Sequence, residues 1–197
     1  TVGDDVDIML ECYMGFNYAY SSRLLKELEP YNLRWAEEML LPDEIHNFAK
    51  LKKQTSIPLS GGEHEYTRYG FHDLLQAQAL DIFQFDTNRV GGFTEAQKIC
   101  NMALAHGVEV IPHGGNMHNL HVVMISFACP MAEYFPQTEI EVGNEMFWYV
   151  FDGEAVAENG MLQLDDHKAG MGLTLKDDYR DQFKIEEYEA SAKRKAV

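Results

Sequence analysis

Glu11-Cys12-Tyr13-Met14-Gly15-Phe16 ends the first apolar run of the sequence and holds a single glycine, where an open nucleotide-binding sheet would carry a glycine-rich phosphate loop. Short runs rich in β-formers recur at 6–13, 33–38, 57–63, 81–86 and 108–113, and each ends in or near a charged or imidazole side chain. Segments of helical spacing fall between and after them, at 18–28, 43–53, 67–77, 93–106 and 120–127. Gly107 reads as a helix C-cap, and Pro42-Asp43-Glu44 as a helix start with acids near the positive end of the dipole. This β-α alternation, with strands that are almost continuously apolar, implies a parallel sheet covered by helices. Every strand delivers a polar residue at its end, which is how a barrel builds a site. The sequence therefore predicts an α/β fold of the (β/α) TIM-barrel type rather than an open doubly wound sheet.

The chain has 197 residues, of which 46% are hydrophobic and 12% aromatic, enough for a substantial core. Its 16 Lys and Arg against 32 Asp and Glu give a net charge of −16, which repels polyphosphate, so no nucleic-acid partner is expected. The longest apolar stretch, 122–135, is interrupted by Ser126, Pro130 and Glu133 and is shorter than the roughly 20 residues that span a bilayer. No membrane partner is expected either. Cys12, Cys100 and Cys129 are odd in number and far apart, which offers neither a disulfide framework nor a Cys-x-x-Cys metal knuckle. That cysteine usage fits a reducing, cytoplasmic setting, which is the expectation.

Glu11, Glu37 and Glu63 end the first three strands and are 26 residues apart in each interval. Three carboxylates converging on one barrel mouth repel unless paired, and all-oxygen ligation suits a hard divalent cation, which points to Mg²⁺. Asp86 and His113 end the next two strands, 27 residues apart. A carboxylate bonded to one imidazole nitrogen fixes the tautomer and leaves the other nitrogen to take a proton from substrate. His46, His72, His106 and His167 fall on helices or loops and read as solvent-facing or capping residues. His118 and His121 share a helical face without a cysteine or acidic partner in register, so a zinc pair is disfavoured, and His118 is retained as a candidate substrate contact.

The segments Leu10-Glu11-Cys12-Tyr13-Met14, Leu33-Arg34-Trp35-Ala36-Glu37-Glu38, Gly62-Glu63-His64, Asp81-Ile82-Phe83-Gln84-Phe85-Asp86, Gly91-Gly92-Phe93-Thr94-Glu95 and Val110-Ile111-Pro112-His113-Gly114 together resemble the enolase superfamily, and within it the mandelate racemase subgroup. The resemblance covers most of the chain. It implies a modified enolase-type barrel present as roughly strands 3–8, with the eighth near 131–135, and a C-terminal return segment. The capping domain and first strands would be absent. A partial barrel at 1–136 and a segment at 137–197 that packs on barrel and cap are the implied domains. By the same resemblance Glu11, Glu37 and Glu63 fall on the Mg²⁺ ligands, with Mn²⁺ as an alternative ion, His113 on the general base and Asp86 on its partner. Glu133 matches the acid facing the enolate oxygen, and His64 a residue lining the sugar-acid pocket.

The implied activity is that of an acid-sugar dehydratase, which removes the proton α to a carboxylate, forms an enediolate and eliminates the β-hydroxyl to leave a 2-keto-3-deoxy acid. A racemase, epimerase or cycloisomerase of the same superfamily and a non-catalytic or degenerate barrel subunit are the alternatives. The implied partners are a small acid sugar and a second copy of the chain, or a segment supplying the cap and first strands. Two departures stand out. The first ligand position is Glu11 where the family carries Asp, a reach longer by roughly 1.5 Å, and the chain is shorter than the about 250 residues of a full barrel. Beyond Pro136, a strand is expected at 147–151, turns at 152–154 and at Asn159-Gly160, a packing contact at Gly170-Met171-Gly172-Leu173, and a solvated helix or frayed tail at 176–197.

Overall fold

Parallel pairing in chain order is what the short apolar runs produce. The computed structural model describes residues 2–3, 5–136 and 145–179. Strands β1 (Met9–Glu11), β2 (Trp35–Glu37), β3 (Leu59–Gly61), β4 (Ile82–Phe83) and β5 (Glu109–Val110) form one sheet in the order β1-β2-β3-β4-β5, every pair parallel. Helices α1 (Tyr18–Leu28), α2 (Ile45–Lys52), α3 (Thr67–Ala77), α4 (Thr87–Val90) and α5 (Phe93–Ala105) fill the crossovers, and α6 (Met117–Ile125) follows β5. Each start and stop has a local cause. Asn17 caps α1 by accepting the Tyr20 N–H at 3.0 Å, and the 3₁₀ turn that follows carries Pro30 at its start and ends at left-handed Asn32. Gly107 closes α5 at φ +69°, the C-cap read from the sequence.

The two faces of the sheet carry two apolar clusters. Ala36, Leu59, Phe83 and Val110 face the helices, where Leu25, Phe48, Leu51, Phe71, Leu74 and Ile99 are buried against them. Phe71 sits edge-on to Phe83 and Phe85, with ring centroids 5.0 and 6.0 Å away. Trp35, Ile82 and Ile111 make the smaller cluster on the opposite face, with Met131 against it. Since alternate strand residues share a face, this second face is also the one that presents Glu11, Glu37 and, past the strand ends, Gln84, Asp86 and His113.

The strand ladders are shorter than the runs at 6–13 and 108–113. In the first, β1 is bonded on one side only among the described residues, and Val6, Ile8 and Met9 of that run are exposed. The expected strand at 131–135 carries no ladder. Val110 donates to Ala128 O at 2.9 Å before that segment begins, and within it the Glu133 carboxylate, not a backbone carbonyl, takes the Gly114 N–H. The strand expected at 147–151 is instead helix α7 (Glu145–Val150), giving way to β6 (Phe151–Asp152), which pairs antiparallel with β7 (Thr174–Leu175). Its run of aromatic residues suits either state, and period alone does not separate them. The Asn159-Gly160 turn holds, with φ +51° and +76° between the bridged Glu158 and Met161. Expectations for 137–144 and beyond 179 lie outside the described residues.

Among the described residues no helix is long and apolar enough to cross a membrane. All three cysteines are free, yet Cys100 and Cys129, distant in sequence, bring their sulfurs to 3.9 Å in the core.

Glu95 on α5 joins α5 to α3. Its Oε1 accepts the Arg68 backbone N–H at 3.0 Å and Arg68 Nη1 at 2.7 Å, and Oε2 accepts Lys98 Nζ at 3.2 Å. The Arg68 backbone N–H, with the Lys98 and Arg68 side chains, holds this carboxyl at about 2. A depressed folded-state value stabilises above the unfolded value near 4.5 and is lost as pH falls toward 2. Glu95→Gln should therefore lower Tm at pH 7, and the gap to wild type should close between pH 4.5 and pH 2 in thermal melts.

Candidate active site

At the C-terminal ends of the strands the ladder continues as single bonds: Met14 N to Glu38 O, Glu38 N to Ser60 O, Gln84 N to Gly61 O and His113 N to Phe85 O. This rim carries the polar side chains into a cleft of about 850 Å³ lined by Glu11, Glu37, Glu63, His113 and Glu133, and also by Tyr13, Trp35, Gln84 and Arg89. One oxygen from each of Glu11, Glu37 and Glu63 lies within 4.8 Å of the others, close enough to converge on a single cation.

The equal 26-residue spacing reaches this convergence by a different route than strand register. Glu11 pairs with Glu37, but Glu37 pairs with Ser60, so Glu63 lies three residues beyond the level position. Gly62, at φ +114°, turns the backbone between strand and ligand. A Cβ there would lie 2.8 Å from the Phe71 ring. Glu38, buried on the helix side, accepts the Gly62 N–H at 2.8 Å and holds that turn from beneath.

His113 spans two carboxylates. Nε2 lies 3.3 Å from Glu63 Oε2, and Nδ1 lies 3.5 Å from Asp86 Oδ2. The second is an ion-pair distance, longer than a made hydrogen bond, as catalytic pairs without substrate often are. Burial works against the charged ring, but the Asp86 contact and the charges of Glu63 and Glu133 outweigh it and push His113 up to about 9. For Asp86, burial is likewise overcome by His113, the Asn88 N–H and Arg89, which keep its carboxyl below the usual range.

Burial and the neighbouring Glu37 push Glu11 up to about 8. Burial also raises Glu38 to about 7, and it raises Glu133 against the pull of the Gly114 N–H and His113. Negative charge is therefore in surplus, and Arg89 offsets only part of it, at 3.2 Å from Glu63 Oε1 and 3.8 Å from Asp86. A divalent cation fits this donor set. It would satisfy three hard oxygens, relieve the repulsion, and neutralise carboxylates that now favour the imidazolium form of His113.

Of the residues expected from sequence, His64 stands beside the cleft, with Nε2 3.1 Å from Glu63 Oε1 and Nδ1 3.4 Å from Arg89. His118 does not line it. Helix α6 starts at Met117, ahead of the expected 120, so His118 is in its first turn, stacked on Phe93 at 6.4 Å. Trp35, which donates to Glu37 Oε2 at 3.0 Å, was legible as the inward residue two before the ligand. Arg89, three residues after Asp86 on α4, could have been found by helical spacing. Glu38 and the Gly114 N–H carry no sequence signal.

A sheet of parallel strands whose C-terminal ends gather carboxylates and an imidazole defines a segment of an α/β barrel with its polar cluster at the strand ends. The chain belongs to the enolase C-terminal domain-like family, whose model matches residues 1–179. It is 36% identical over 179 residues to the L-rhamnonate dehydratase of Saccharopolyspora erythraea, covering 88% of this chain and 45% of that protein. It superposes with a TM-score of 0.83 on the structure of rhamnonate dehydratase from Gibberella zeae complexed with Mg, at 34% identity, over 92% of this chain and 45% of that one. The 3,6-anhydro-D-galactonate cycloisomerase of Zobellia galactanivorans matches with a TM-score of 0.79 at 26% identity, over 92% of this chain and 51% of that one. The chain thus spans about half the length of the relatives it matches.

Two outcomes follow from this geometry. Glu37→Gln should weaken Mg²⁺ binding by at least about tenfold in calorimetric titration, while a remote His46→Gln control binds as wild type. Gly62→Ala should cost about 1–3 kcal/mol in denaturant unfolding, because a Cβ meets Phe71 and strains a positive φ.

Proposed function

We propose that this chain is the catalytic barrel portion of a Mg²⁺-dependent acid-sugar dehydratase, with L-rhamnonate or a related aldonate as substrate. The observation that carries the reading is His113 set between Asp86 and Glu63, next to three convergent carboxylates. Glu11, Glu37 and Glu63 would hold the cation, Mg²⁺ or alternatively Mn²⁺, which supplies Lewis-acid stabilisation of the charge that develops on a substrate carboxylate. His113, oriented by Asp86, removes the α-proton. Burial raises Glu133 and so favours the protonated form that would donate a hydrogen bond to the enediolate oxygen. The imidazolium formed on His113 then protonates the leaving β-hydroxyl, water departs, and the enol becomes the 2-keto-3-deoxy acid. Trp35 fixes Glu37, and Arg89 and His64 border Glu63 on the substrate side.

In this reading β1 to β5 are the third to seventh barrel strands, and 131–135 takes the eighth place. A further segment or a second copy of the chain completes the barrel beside the one-sided edge of β1. The cap and opening strands would also bear on whether water is eliminated. Similarity to a cycloisomerase supports a second reading, in which the same proton abstraction serves isomerisation.

The test is formation of 2-keto-3-deoxy acid from a panel of aldonic acids that includes L-rhamnonate, with Mg²⁺. Wild type should turn over one member, and His113→Asn should lose at least about 10²-fold in rate. Deuterium entering the α-position without loss of water would instead favour the isomerase reading. Glu11→Asp should preserve or raise turnover, and its abolition would count against Glu11 as a ligand.

A further inference from the structure

The acid and the base of the pair stand on different loops, Asp86 at the start of α4 and His113 after β5, and their separation is set by something other than the 3.5 Å contact between them. Asn119, in the first turn of α6, lies between those loops and is 2% exposed. Its Oδ1 accepts the Thr87 backbone N–H at 3.1 Å and the Thr87 hydroxyl at 2.6 Å. Its Nδ2 donates to the carbonyl of His113 and to that of Gly114, the latter at 2.9 Å. Thr87 is the residue after the acid, and His113 bears the base. Both lone pairs and both N–H groups of the amide are therefore used, the full capacity of an asparagine.

The orientation of the amide follows from its partners. The Thr87 backbone N–H can only donate and the carbonyls of His113 and Gly114 can only accept, so reversing the amide would set N–H against N–H and oxygen against oxygen. Aspartate supplies no donors, leucine supplies neither function, and glutamine is a methylene too long. Helix α6 is itself fixed, because Asn116 accepts the Asn119 N–H at 3.1 Å and Glu154 accepts the Met117 N–H at 2.8 Å. Asn119 is thus a bracket mounted on a rigid element.

We propose that Asn119 is a positioning residue for the reaction: it clamps the loop of the acid to the loop of the base and so sets the distance from Asp86 to the His113 ring. The proposal rests on the dehydratase reading for its kinetic consequence, though not for its geometry. Displacement of a reacting group by about 1 Å can cost about 10²-fold in rate. Asn119→Asp keeps the acceptor and removes both donors.

The experiment uses the full chain loaded with Mg²⁺, and reads kcat, KM, Mg²⁺ affinity and the ¹⁵N shifts of the His113 ring, assigned with His113→Asn. In Asn119→Asp, kcat per folded molecule should fall by about 10- to 100-fold, with KM and Mg²⁺ affinity within about threefold of wild type. The His113 ring shifts should move toward those of Asp86→Asn. Unchanged kcat per folded molecule with unchanged ring shifts would overturn the proposal, leaving Asn119 a structural residue only.

Should Asn119→Asp fail to fold, Thr87→Val decides, since it removes the hydroxyl donor and keeps the shape. A fall in kcat of about three- to tenfold, restored in Thr87→Ser, supports the clamp, and no fall overturns it. If wild type turns over no aldonate and exchanges no α-proton, the dehydratase reading fails. The ring shifts of Asn119→Asp against Asp86→Asn then decide the clamp by themselves.

Discussion

Mutual repulsion of carboxylates gathered at one end of a sheet is the constraint on which the rest of this structure depends. Glu11, Glu37 and Glu63 bring oxygens within 4.8 Å of one another, with Asp86 and Glu133 nearby, in a cleft where Glu37 and Glu63 are buried and Glu11 reaches solvent. At such distances and reduced dielectric, like charges cost several kcal/mol unless countered. The protein counters them in three ways. Arg89 lies against Glu63 and Asp86, the His113 ring is pushed toward its charged form, and Glu11 is pushed up to about 8. The residual surplus of negative charge suits the cleft to a hard cation, and it ties the carboxylates, Arg89 and the His113 ring into one electrostatic unit.

Such a unit demands rigid support, and the support comes from hydrogen bonds that run around the rim after the formal strands have ended. Glu38 to Ser60, Gln84 to Gly61 and His113 to Phe85 continue the parallel pairing by one or two residues, so each loop leaves the sheet at a fixed height. Behind the rim, Phe71 fills the space under Gly62, Phe83 and Phe85, and Glu38 holds the Gly62 N–H. The packing core and the polar site therefore share residues one position apart. A change beneath the sheet is transmitted to the carboxylates above it.

The C-terminal segment adds to this frame instead of standing apart from it. Glu154 reaches the first turn of α6 and His121 contacts Met171 O, so the helix that follows the base is held from the return segment as well as from the barrel. The aromatic run at 147–151 shows how local composition misleads there. Phe, Trp, Tyr and Val favour strands, yet 145–150 is helical, and propensity yields to context over so short a stretch.

The sequence by itself determined the β/α alternation, the parallel sheet, the inward face and the identity of the strand-end acids and imidazole. These rest on period and residue type, which are local properties of a chain. Even Trp35 and Arg89 were within reach of that reasoning, by a two-residue and a three-residue step from Glu37 and Asp86. Only the tertiary structure decided that Glu63 reaches the others by a three-residue slip turned at Gly62, that 131–135 forms no ladder, and that His118 stacks on Phe93 away from the cleft. It also decided that Cys100 meets Cys129 and that Asn119 brackets two loops. Each of these is a relation between segments whose offset is set by how both pack, and no spacing along one chain encodes the register of two.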